Sequence, residues 1–153
     1  MKKFRFRLET LLKFRKMQEE QAQIKLAEAT NRLNKEQEYL GILRNQLASN
    51  LKLLSQEQSS GSPTIETLKT FSYYIDKIKR HITEQQEQVA KAADYQQECL
   101  AELEGAIKQR KLVDNLREKR LEQYGKELLQ EEQKILDELG TQAFVRDRER
   151  GLK

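Results

Sequence analysis

From Thr64 to Leu139 no proline interrupts the chain, and the apolar residues return at steps of three and four: Leu68, Phe71, Ile75, Ile78, Ile82, Val89, Ala92, Cys99, Leu103, Ala106 and Val113. That period is helical and lies close to the coiled-coil heptad. At 1.5 Å per residue such a helix runs on the order of 110 Å. A compact core of a 153-residue chain cannot enclose it. Its apolar stripe therefore needs a second helix along its length. Composition agrees, with 37% hydrophobic and 35% charged residues, no Trp and one Pro. Disordered chains are also charged and polar, but they lack a sustained apolar period.

The covering helix is written into the residues that come first. Stepping by seven from Leu12 gives Leu12, Glu19, Leu26, Leu33, Leu40, Leu47 and Leu54. The companion series, Leu8, Arg15, Ala22, Ala29, Glu36, Leu43 and Asn50, is smaller and more polar. Leucine at nearly every a position over so many heptads specifies a coiled coil. Between the two helical stretches stands Ser59-Ser60-Gly61-Ser62-Pro63-Thr64, the only Gly/Ser/Pro cluster in the chain. Gly61 ends the first helix, and Ser62 caps the second with Pro63 at its first position. Short connections join antiparallel neighbours. The predicted fold is all-α: an antiparallel two-helix coiled coil, a long helical hairpin whose second helix is the longer. The expected bounds are helix 1 at 4–57, a turn at 58–63, helix 2 at 64–139 and a charged tail at 140–153, in a single domain.

If the turn centres near residue 61, facing residues have numbers summing to about 122. Leu54 then faces Leu68, Leu40 faces Ile82, Leu12 faces Arg110, and the N-terminus lies near Leu121. Roughly 20 residues of the second helix outrun the first, and they still carry spaced apolar side chains: Leu121, Tyr124, Leu128, Leu129, Ile135, Leu136 and Leu139. Beyond Val113 the best apolar series drifts by one residue, to Leu100, Ile107, Leu121, Leu128 and Ile135, which reads as a stutter.

Net charge is +4, from 29 basic and 25 acidic residues, and its distribution matters more than its sum. Residues 1–16 hold Lys2, Lys3, Arg5, Arg7, Lys13, Arg15 and Lys16 against Glu9 alone. The count from the turn sets them beside Lys108, Arg110, Lys111, Arg117, Lys119 and Arg120. Arg15 and Arg110 fall on the seam. Either their alkyl stems cover it while the heads reach water, or this end is a positive rod for an acidic surface. Phe71, Tyr73 and Tyr74 form an aromatic group near the start of the second helix. It serves either as hairpin-end packing or as a binding patch.

No catalytic, cofactor or metal site is expected. His81 stands alone in a charged helix, and Cys99 falls on the seam with no base to activate it. There is no glycine-rich phosphate loop, and the carboxylates lie on solvated faces. Nucleic acid is not expected as a partner, because acids interleave with the bases and stacking aromatics are missing from the basic segments. No apolar run approaches the roughly 18 residues of a membrane span, so any membrane contact comes through partners. A cytoplasmic location follows. The functions open to such a hairpin are coupling, scaffolding or recognition, including a generic tether that dimerises or bridges other proteins.

The opening Phe4-Arg5-Phe6-Arg7-Leu8-Glu9-Thr10-Leu11-Leu12-Lys13-Phe14-Arg15 resembles the N-terminal signature of FliJ proteins, soluble components of the bacterial flagellar type III export apparatus. The run Glu131-Glu132-Gln133-Lys134-Ile135-Leu136-Asp137-Glu138 is similar to the family's C-terminal pattern. The resemblance spans essentially the whole chain. It implies a stalk like the gamma subunit of rotary ATPases, seated in the hexameric export ATPase (FliI) and touching the export gate protein (FlhA) and export chaperones. It implies a place at the inner face of the cell membrane at the flagellar base. The gate surface would fall on Tyr39, Leu43, Tyr74 and Ile78. Gln46, Asn50, His81 and Gln85 stand at neighbouring positions, where Gln46 and Asn50 replace aromatics. The implied contacts with the ATPase ring are Arg5, Arg7, Leu8, Leu12, Arg15, Arg110, Arg117, Leu121 and Leu128.

Overall fold

The computed structural model describes residues 2–61 and 64–151. Two helices, α1 (Glu9–Ser59) and α2 (Ile65–Gly151), fold back on each other as an antiparallel hairpin with the second the longer. The chain divides into two compact units, Gln18–Ala106 and Met1–Met17 together with Ile107–Lys153.

In the first unit the heptad dictates burial. Leu26, Leu33, Leu40, Leu47 and Leu54, with Ala22, Ala29, Glu36, Leu43 and Asn50, are all buried or half-buried on α1. On α2 the matching line is Leu68, Phe71, Ile75, Ile78, Ile82, Gln85, Val89, Ala92, Gln96, Cys99, Leu103 and Ala106. Each fully buried leucine contributes about 1.5–3 kcal/mol, so the seam is the main source of stability. Cys99 is the most enclosed residue at 1% exposure and acts as a small packing side chain.

Polar pairs cross the seam and fix its register. The Gln85 Nε2 donates to the Glu36 carbonyl at 3.0 Å and also to the Glu36 carboxylate. Gln96 Nε2 donates to Thr30 Oγ1 at 3.0 Å. Lys25 Nζ pairs with Glu102 at 2.9 Å, and its hydrogen bond and charge attraction to Glu102 raise the lysine pKa. That contribution is complete below the ordinary lysine pKa and is lost only as pH climbs through the raised one. The pair Glu36–Gln85 sits where a count from the turn puts it. Thr30–Gln96 and Lys25–Glu102 lie about one helical turn further along α2. Helical side chains lean toward their own N-terminus, which brings antiparallel partners offset in this way together.

The turn departs from expectation in its cap. Thr64 Oγ1 accepts from the Thr67 amide at 3.2 Å, so Thr64 is the N-cap of α2. The roles expected of Ser62 and Pro63 lie outside the described residues. Gly61 has φ +148°, a backbone that side chains rarely adopt, and it ends the chain's first helical run.

In the second unit three expectations are corrected. Residues 2–8 are not helical, and α1 starts at Glu9 rather than near residue 4. Along Phe4-Arg5-Phe6-Arg7 the two rings are buried or half-buried and the two arginines exposed, and a turn closed by the Glu9 amide on the Phe6 carbonyl leads into α1. Phe6, Leu12 and Val113 form a buried cluster, with Phe4 and Leu11 packed against it. The N-terminal segment reaches past Leu121. The Tyr124 hydroxyl donates to the Lys2 carbonyl at 2.5 Å, and the Phe4 and Tyr124 rings stand 5.5 Å apart.

The second correction concerns the seam beyond Val113. It does not drift: Arg110, Val113, Arg117 and Tyr124 keep the original heptad and are buried or half-buried. Leu100, Leu121 and Ile135 of the drifted series are exposed, while its other members, Ile107 and Leu128, are half-buried. The arginines hold their places because acids meet them. Arg110 pairs with Asp114 at 2.8 Å and Arg117 with Glu9 at 3.1 Å. The third correction is the end of α2, which continues through Gly140 to Gly151. A helical glycine costs about 1 kcal/mol, and no proline follows to stop the helix. Every residue from Leu129 to Gly151 is exposed.

Leu40→Ala is expected to lower unfolding free energy by about 2–4 kcal/mol. Leu53→Ala, half-exposed beside the seam, should change it by less than about 0.5 kcal/mol. Urea denaturation followed by helical circular dichroism measures both.

Candidate functional site

Two surfaces collect the side chains that could meet other molecules, one in each unit. The first is built by the N-terminal segment against α2. Burial of Phe6 and partial burial of Phe4 leave Arg5 and Arg7 pointing to solvent, with Lys2 and Lys3 before them. Lys2, Lys3, Phe4 and Arg5 face Tyr124, Glu127, Leu128 and Glu131 across a groove of about 940 Å³. The groove is thus basic on one wall, acidic on the other and apolar along its floor.

The residues expected to contact an ATPase ring separate into two groups. Arg5, Arg7, Leu8 and Leu121 are exposed, and Leu128 lines the groove. Leu12 is 2% exposed and belongs to the core. Arg15 lies half-buried with its guanidinium 6.0 Å from the Phe14 ring centre. Arg110 and Arg117 are engaged by Asp114 and Glu9. The arginines on the seam hold the fold, and those on the N-terminal segment are free to meet a partner. Tyr124 is the residue missed at this surface. Counting on by seven from Arg110 and Arg117 reaches it, so keeping the heptad through the arginines finds it.

The second surface lies near the turn. Leu43 and Ile78, at 4% and 6% exposure, are seam residues and offer no surface. Tyr39 and Tyr74, at 46% and 52%, flank the seam and present their rings. Both precede an a position by one residue, so they share one side of the coiled coil. Tyr74 also borders a groove of about 580 Å³ with Asn50, Thr67, Thr70 and Phe71. His81 is exposed, as is Tyr73. Further along this side, the neighbouring Cys99 thiol raises the Tyr95 hydroxyl pKa, and Lys25 sits 6.0 Å from the Tyr95 ring centre. Among the described residues no group of side chains is arranged to hold a metal ion. No helix there is long and apolar enough to cross a membrane.

Residues 4–149 match the family described as "Flagellar FliJ protein". Among solved structures, the chain is similar to a putative YscO homolog, CT670 from Chlamydia trachomatis, at 25% identity and TM-score 0.48, covering 91% of this chain and 94% of that one. No curated protein gives a significant match.

Tyr124→Phe removes the hydroxyl that holds the Lys2 carbonyl and is expected to cost about 0.5–1.5 kcal/mol. Amide exchange should quicken in residues 2–8 while α1 and α2 keep their protection. Unchanged exchange there would show that the ring contact alone anchors the segment.

Proposed function

Because the chain belongs to the flagellar FliJ family, non-catalytic components of the type III export apparatus, we propose that it is the coiled-coil stalk linking the hexameric export ATPase (FliI) to the export gate (FlhA). In this role it also receives export chaperones, and it works in the cytoplasm at the inner face of the membrane at the flagellar base. The observation that carries this is the family match along 4–149, which includes both surfaces. The separation of exposed from seam residues supports a division of labour. Arg5, Arg7, Leu8, Leu121 and Leu128 are suited to the ring, and Tyr39 and Tyr74 to the gate. Leu12, Leu43, Arg15, Ile78, Arg110 and Arg117 act through the fold: they hold the helices that present the others.

ATP hydrolysis by the cognate hexamer, measured with and without this protein, tests the reading. Stimulation is expected, and Arg5→Glu with Arg7→Glu should reduce it several-fold while helix content stays constant. Tyr39→Ala and Tyr74→Ala should each weaken gate binding by about 1–2 kcal/mol, as loss of an aromatic anchor does. Ile78→Ala should instead lower the melting temperature. No stimulation together with no gate binding overturns the proposal.

A further inference from the structure

The helix that outruns its partner carries a pattern of its own. Leu128, Ile135, Leu136, Leu139 and Ala143 fall at steps of three, four and seven and so share one face of α2. From Ile135 to Gly151 that face has no cover among the described residues, for every residue there is exposed. Three charged residues, Glu132, Arg146 and Arg150, stand inside this stripe rather than beside it. Glu132 and Arg146 lie seven positions before and seven positions after Leu139. Fourteen residues of helix put them about 21 Å apart, so they cannot pair with each other in one molecule. Neither makes an ion pair with another described residue.

We propose that the free protein pairs with a second copy of itself through this overhang, the two helices running antiparallel and centred on Leu139. A two-fold axis at Leu139 carries each Glu132 onto Arg146 of the partner subunit, so one operation makes the same pair twice. Ile135 and Leu136 then cover Ala143 and its neighbours on the partner subunit. The stripe's other basic residue, Arg150, arrives opposite Leu128, beside Glu127 and Glu131. A parallel pairing sets Glu132 against its own copy and Arg146 against its own copy, and like charges on a seam reject that arrangement. An apolar stripe in water favours such cover, and a helix without tertiary packing gains most of its stability from it. The pairing is independent of the export role. It hides Ile135 and Leu139 until another partner displaces the second copy.

Sedimentation velocity of the full chain at tens of micromolar tests this. A concentration-dependent monomer–dimer equilibrium is expected. Glu132→Arg alone, or Arg146→Glu alone, should weaken it by about tenfold or more, since each creates two like-charged contacts. The double exchange, Glu132→Arg with Arg146→Glu, should restore it. All these positions are exposed, and helical circular dichroism of each variant checks that the fold survives. A strictly monomeric wild type overturns the proposal. So does a dimer indifferent to Glu132→Arg, which would use another surface, or a double exchange that fails to restore pairing.

Discussion

Two narrow stripes, each about two residues per heptad, bury one another in this chain, and among the described residues there is no wider core. A coiled-coil seam has no depth in which to hide an error, so each position along it is decided by what faces it. Where both helices offer leucine and isoleucine, the seam is apolar. Where α2 offers Gln85, α1 answers with Glu36, and a buried amide finds both a carbonyl and a carboxylate. Such a polar layer contributes less than an apolar one, but it penalises any slip of one helix past the other. A displaced Gln85 would sit among hydrocarbon without a partner.

The same rule accounts for the arginines near the open end. Their placement on the seam conflicts with simple stability, and two basic segments side by side repel. The conflict is resolved locally: the one acid of the first sixteen residues, Glu9, sits on Arg117, and Asp114 sits on Arg110. Both pairs are only partly shielded, so they contribute modestly. Their effect is to neutralise charge at the seam and leave Arg5 and Arg7, with Lys2 and Lys3, among the outward positive groups. The fold thereby sorts chemically similar residues into internal and external sets.

The hairpin, its single turn and its seam positions were legible in the sequence, because the heptad encodes burial directly. Leu26 through Leu54 and Leu68 through Ala106 lie where a seven-residue count puts them. Two of the departures share a cause: register, not apolar content, decides which side chains the seam buries. Past Val113 the eye follows Leu121 and Leu128, while the register continues through Arg110, Arg117 and Tyr124. At the proposed gate surface, Leu43 and Ile78 lie inside the seam, as their heptad positions require. Gly140 looked like an end because glycine often follows a helix, yet nothing after it opposes helix geometry. Thr64 and Ser62 are both capping residues, and local chemistry alone does not choose between them. The irregular start was legible only as alternation. Phe4-Arg5-Phe6-Arg7 carries a period of two inside a chain otherwise governed by seven.

That irregular start has a consequence for synthesis. Lys2 is tied to Tyr124 across 122 positions of sequence, and Glu9 to Arg117 across 108. Pairs close to the turn, by contrast, close small loops and can zip early. At about 5–20 residues per second, the opening segment leaves the ribosome several seconds before its cover exists. During that interval Phe4 and Phe6 are exposed beside four basic side chains. This segment, made well before residues 117–124 of α2, is therefore among the last to find its place.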